Sequence, residues 1–139
     1  MKMKNYWLMK SEPNEWSWKD QVEEGISMWD GVRNYQARNN LMSMKKNDLS
    51  FFYHSVSEKA IIGILKIVRE FYPDPTDKLG KFVVVDVKAF KKLKNKVTLQ
   101  KIKSNKKLQK ISLLKQSRLS VMPLSKSEWD EIINLSKNE

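Results

Sequence analysis

Apolar residues occur in short runs separated by polar turns, and their spacing changes along the chain. Tyr6 to Lys10 is an apolar run closed by Ser11-Glu12-Pro13, which predicts a first strand ending where the proline begins. Ser17, with Asp20 three positions later, predicts a capped helix through Glu24 stopped by Gly25. Ile26 to Trp29 runs into Asp30-Gly31, a turn signal, and Asn34 stands where it caps a helix over Tyr35 to Met44. Asp48 to His54 and Ala60 to Phe71 are dense in β-branched and aromatic residues and predict strands. Gly63, inside the second, marks a bulge or a close backbone approach. Pro73-Asp74-Pro75 is a loop, and Phe82 to Phe90 alternates after a buried start, as a half-buried strand does.

Past Phe90 the signals are shorter. Thr98 predicts a cap on a helix over Leu99 to Ile102, Lys106 to Leu114 reads as a second helix, and Leu119 to Pro123 as a brief strand. Ser125 with Glu128 is a capping box that opens a final helix with Trp129, Ile132 and Ile133 on one face. Strands and short helices without strict alternation, and no repeat or linker, predict one α+β domain over residues 1–139. A small mixed barrel with flanking helices fits better than a doubly wound sheet.

Composition narrows the chemistry. The 139 residues hold 40% hydrophobic residues, including five Trp, five Phe and four Tyr, enough for a single core. The absence of cysteine excludes disulfides, thiol catalysis, zinc-thiolate sites and iron–sulfur clusters. A lone histidine, His54, excludes a two-histidine motif such as HExxH. No stretch approaches the ~18 apolar residues of a membrane span. The start MKMKNYWLMKSEP has only Tyr6 to Met9 as an apolar run, so no signal-peptide core is expected. The expected setting is the cytoplasm, or the nucleus in a eukaryote, and the expected form is a monomer.

The net charge is +11, which points toward a polyanion. Only four of the 27 basic residues are Arg, and with ten Asn the composition also fits an AT-rich genome. The distribution separates these readings. Residues 1–87 carry a net +1 and residues 88–139 a net +10, with twelve basic and no acidic side chains from Lys88 to Arg118. Apolar residues punctuate that run, so it reads as a folded basic surface whose lysines would contact phosphates without reading sequence.

Three segments resist explanation as core or generic surface. Lys10-Ser11-Glu12-Pro13 places polar residues at a strand end, where a salt-bridged turn and a site are both reasonable readings. Trp29 to Asn40 packs two aromatics, two arginines, three asparagines, an aspartate and a glutamine into twelve residues. Arg33 and Arg38 suit phosphate or carboxylate, and Asn and Gln amides can pair with a base edge. Trp29 reads either as core or as a stacking wall. In Phe51-Phe52-Tyr53-His54-Ser55, alternation sets Phe52 and His54 on one face and Phe51 and Tyr53 on the other, and His54 is either structural or pocket-lining. No catalytic constellation emerges: there is no G-x-S-x-G, no phosphate-cradling glycine loop, and Glu12, Asp30 and Asp48 lack metal-site spacing.

The segments WLMKSEP, WDGVRNYQARNNL, FFYHS, GILKIVREFYPDPT, VTLQKIK and QSRLSV, followed by EW, together resemble the EVE domain family, in order from about Tyr6 to Ile133. The match departs where Met42 follows Leu41 in place of an arginine common there, and where Phe82 replaces a tryptophan. The resemblance implies a PUA-like fold and a binding module that recognises a modified base in DNA or RNA, with no enzyme activity, cofactor or metal expected. On this reading the base pocket comprises Ser11, Trp29, Asn34, Asn39, Tyr53, His54 and Ser55, with Trp16 or Trp18 as alternative aromatic walls. Lys10, Arg33, Arg38 and Arg118 would hold phosphates, together with Lys101, Lys103, Lys106, Lys107 and Lys110. Two other classes stay open: a nuclease or base-processing hydrolase using His54 with Asp30 or Glu12, and a module that docks an acidic protein.

Overall fold

In the computed structural model residues 5–137 are described; the basic start of the chain, residues 1–4, and residues 138–139 lie outside them. Among the described residues six strands form one mixed sheet: β1 (Tyr6–Ser11), β2 (Ile26–Met28), β3 (Leu49–His54), β4 (Ala60–Pro73), β5 (Val83–Thr98) and β6 (Val121–Leu124). Their order is β2-β5-β4-β3-β1-β6. β1 and β3 pair in parallel, and the other pairings are antiparallel. Among the described residues β2 and β6 do not pair with each other, so the expected barrel is an unclosed one. The β4–β5 ladder shifts register at four points, and such bulges bend and twist a sheet.

Around the sheet lie α1 (Trp18–Glu24), α2 (Tyr35–Ser43), α3 (Leu99–Lys103), α4 (Ser112–Lys115) and α5 (Lys126–Lys137). Local chemistry explains their starts. Ser17 and Asp20 exchange side-chain bonds with each other's backbone N–H, as do Ser125 and Glu128. Asn34 Oδ1 accepts from the N–H of Ala37, and Thr98 Oγ1 from that of Lys101.

Two expectations are corrected. The strand predicted to end at Phe90 continues to Thr98, because β4 pairs with it as far as Lys92 and again, past a bulge, at Val97 and Thr98, and Leu93 and Val97 turn inward among the lysines. The single helix predicted over Lys106 to Leu114 is a 3₁₀ turn (Lys106–Leu108) and then α4. Leu108 and Ile111 are both fully buried, and their three-residue spacing suits the tighter turn.

β3 divides the core. Phe51 stacks on Trp129 of α5 at 3.9 Å between ring centroids, and Tyr6 meets the same indole at 4.7 Å. Phe52 points the other way and meets Trp18, Trp29 and His54 edge to face. Gly63 serves as both a bulge and a close approach. The register shifts between Ile61 and Gly63, and a Cβ at Gly63 would fall 2.5 Å from the Trp18 ring.

Candidate functional site

Because β1 and β3 are parallel, their C-terminal ends lie side by side, joined where the N–H of Ser55 donates to Ser11 O at 2.9 Å. A cleft of about 1030 Å³ opens there. β1 contributes Lys10 and Ser11. β2 and the loop from Trp29 to Arg33 form a second side, and Ser117 and Ser120, ahead of β6, form a third. Val56, in the turn after β3, stands at the lip.

The wall is fixed from behind by Gln21, which is fully buried. Its Oε1 accepts from Trp16 Nε1 and Ser27 Oγ, each at 2.9 Å, and its Nε2 donates to Gly25 O. One side chain thus ties the segment before α1 to β2. Ser11 Oγ donates to Trp16 O, so Trp16 is held at ring and backbone. Trp16 is half-buried and lines the cleft. Trp29 also lines the cleft, but it is only 7% exposed; its N–H donates to Val85 O and its ring packs on Phe52.

The loop from Trp29 to Arg33 rests on a carboxylate buried behind it. Asp74 Oδ2 accepts from the N–H of Gly31 and from Arg33 Nη1, while Oδ1 accepts from Thr76 N–H and Oγ1. Burial alone would raise the Asp74 carboxyl, but these bonds outweigh it and hold it below the usual carboxylate range. Gly31 takes φ +81°, a conformation suited to glycine at this turn. Arg33, its side chain still 42% exposed, also donates to Thr76 Oγ1 and lies over the Phe82 ring. Its guanidinium is therefore oriented before any ligand arrives.

The cleft is not basic. Glu12, Glu15, Glu24 and Asp30 line it against Lys10 and Arg33. Lys10 Nζ donates to Ser117 O across the far rim, and burial lowers its pKa. The carboxylates are acceptors for amino groups; phosphates suit the lysines outside.

The residues expected at the site are thus only partly brought together. Ser11, Trp29, Ser55, Lys10 and Arg33 share the cleft, and exposed Arg118 adjoins its Ser117 edge. Asn34 is occupied in capping α2. Asn39 Oδ1 accepts from the Arg38 guanidinium, which also donates to Lys81 O. Tyr53 is buried with Lys10 over its ring, and burial raises its pKa. His54 lies behind the cleft. Its Nε2 accepts from the N–H of Trp18, so the ring proton is on Nδ1, which donates to Glu58 at 2.6 Å. Lys103, Lys106 and Lys110 are exposed, Lys107 lies 3.9 Å from Glu131, and Lys101 borders a separate hollow of about 570 Å³ with Lys92, Lys94 and Lys96. Gln21, Asp74 and Val56 were absent from the expected site. The available signals were a glutamine on the buried face of a helix that begins with Trp18 and an aspartate between two prolines. Among the described residues no group of three or more His, Cys, Asp or Glu is placed to hold a metal.

The sequence pattern of the EVE domain matches residues 5–135. The chain belongs to the EVE domain family. Thymocyte nuclear protein 1 of Mus musculus is 36% identical to this EVE domain over 99% of the chain and 76% of its own length. A Rhodopseudomonas palustris protein solved by NMR superposes with a TM-score of 0.91 at 47% identity, covering 96% of this chain and 93% of that one. Human THYN1 protein, crystallised in complex with 5-methylcytosine-containing DNA, superposes at 0.86 with 35% identity, over 97% of this chain and 99% of that one. The YTH domain of Zygosaccharomyces rouxii MRB1, at 14% identity and a TM-score of 0.60, shares the fold.

Proposed function

We propose that this EVE domain reads a modified base in nucleic acid, holding that base in the cleft at the ends of β1 and β3. The observation that carries this reading is the likeness, over nearly the whole chain, to a human protein crystallised with 5-methylcytosine-containing DNA. The cleft suits the task in size, since small-molecule sites run to about 300–1,000 Å³. Trp16 provides the aromatic surface for stacking, worth about 1–3 kcal/mol per base, with only a narrow edge of Trp29 beside it. The carboxylates of Glu12, Glu15 and Asp30 are matched to an exocyclic amino group, as a cytosine edge presents. Arg33 and Arg118 would receive the flanking phosphates at the rim, and the lysines of α3 and the 3₁₀ turn would hold more distant backbone.

Binding without turnover is the reading we favour. His54 has both ring nitrogens engaged within the fold, which argues against its serving as a general base that activates water with Asp30 or Glu12 as its partner. The test is a titration of the protein against oligonucleotides of one sequence, with and without 5-methylcytosine. Tighter binding of the modified strand is expected, and equal affinity across both would overturn the proposal.

A further inference from the structure

The turn between β3 and β4 holds an unfavourable backbone at an exposed position. Ser57 N–H donates to Ser55 O at 3.1 Å, and Val56 between them has φ +72°. A bond from residue i+2 back to residue i around a positive φ is the rare, strained form of the γ-turn. Valine is poorly suited to it, because its branched Cβ crowds the carbonyl there; glycine or asparagine adopts that φ with less strain.

Packing does not account for the valine. Val56 is 62% exposed and stands on the lip of the cleft. The backbone around it is fixed from both sides. Ser55 N–H bonds to Ser11 O, and Glu58 accepts from His54 Nδ1 at 2.6 Å and from Lys96 Nζ at 3.2 Å. His54 is anchored in turn by the N–H of Trp18. The hydrogen bond from His54, with help from Lys96, holds the Glu58 carboxyl below its ordinary range. Strain of this kind persists only where the surroundings over-determine it. An apolar, stiff, exposed side chain is thus held out beside a cleft on a turn that cannot readily relax.

We infer that Val56 is a wedge that enters the base stack of a duplex at the step vacated when the modified base swings into the cleft. This rests on the base-reading function proposed above and names its substrate form, a paired base that must be extruded. Extrusion leaves a gap between neighbouring base pairs, and compact apolar side chains fill such gaps without competing for hydrogen bonds. A branched side chain on a rigid turn has little rotamer freedom to lose on insertion.

The experiment uses the full chain, Val56→Gly and Val56→Asn. Each is titrated against a duplex and a single strand of one sequence containing 5-methylcytosine, and against their unmodified counterparts. Both substitutions accept positive φ, so melting temperatures at or above that of the parent are expected. Affinity for the modified duplex should fall about tenfold, while affinity for the modified single strand stays within about twofold of the parent. Equal loss on both probes, no loss on either, or a parent that binds single strands alone would overturn the wedge and leave the base-reading function standing. A parent indifferent to the modification in both probe forms would overturn that function, and the wedge with it.

Discussion

Trp16 and Trp29 both reach the cleft, but their loads differ. Trp29 is nearly buried against Phe52 and bonded through its backbone to β5, whereas Trp16 is half-buried and pinned by Gln21 and Ser11. Truncating Trp29 would open the core. Trp29→Ala should cost about 3–5 kcal/mol of stability, the usual range for a large buried aromatic. Trp16→Ala should weaken binding of the modified oligonucleotide by about 1–3 kcal/mol. Urea denaturation of both variants, alongside binding of Trp16→Ala, separates the two roles; a Trp29→Ala protein as stable as the parent would show that this indole faces ligand rather than core. Both tryptophans were legible as an aromatic set beside polar residues, but nothing in the sequence ranks them, because exposure depends on which strand lies behind each ring. Nor does it reveal Gln21, whose three partners, Trp16, Gly25 and Ser27, meet at its amide only once α1 is set against β2.

At the scale of elements, capping motifs were the most legible features, since each lies within four residues of chain. Ser17, Asn34, Thr98 and Ser125 all stand at the helix starts their chemistry predicts. β5 was legible only in its first half. Lysines hide its later alternation, and its length depends on pairing with β4, a partner that local spacing does not reveal. The basic run is thus a strand followed by short helices, a folded surface. Replacing Lys101, Lys103, Lys106 and Lys110 by Gln should lower affinity for modified and unmodified DNA alike. The slope of log K against log salt should flatten by roughly 0.9 for each phosphate contact removed. Binding isotherms at several salt concentrations check this, and an unchanged slope would mean that these lysines do not touch the backbone.

Across the whole molecule, the positive charge and the cleft are separated. The cleft is lined by more carboxylates than cations, while the excess positive charge lies on the exterior after residue 87. Asp74 links parts distant in sequence, joining the loop after β4 to Gly31 and Arg33. Its carboxyl is held below the usual range in the folded state, so its contribution is complete above the unfolded value of about 3.9 and fades as pH falls through the lower folded value. The stability gap between the parent and Asp74→Asn should therefore be widest near neutral pH and shrink in acid. Denaturation curves from pH 7 down to about 3 measure it, and a gap that stays constant would remove Asp74 as the ionised anchor.

The sequence alone determined the α+β class, the caps, the apolar faces of β3 and α5, the uneven charge and some of the segments that line the cleft. Each of these is a matter of neighbours a few residues apart. Tertiary structure decided which of those segments meet. The parallel pairing of β1 with β3 sets Ser11 beside Ser55 and makes the cleft; the same packing turns Tyr53 and His54 away from it and leaves Val56 strained and exposed at its edge. Side-chain chemistry is written locally, but the direction in which a side chain faces is set by the strand that happens to lie next to it.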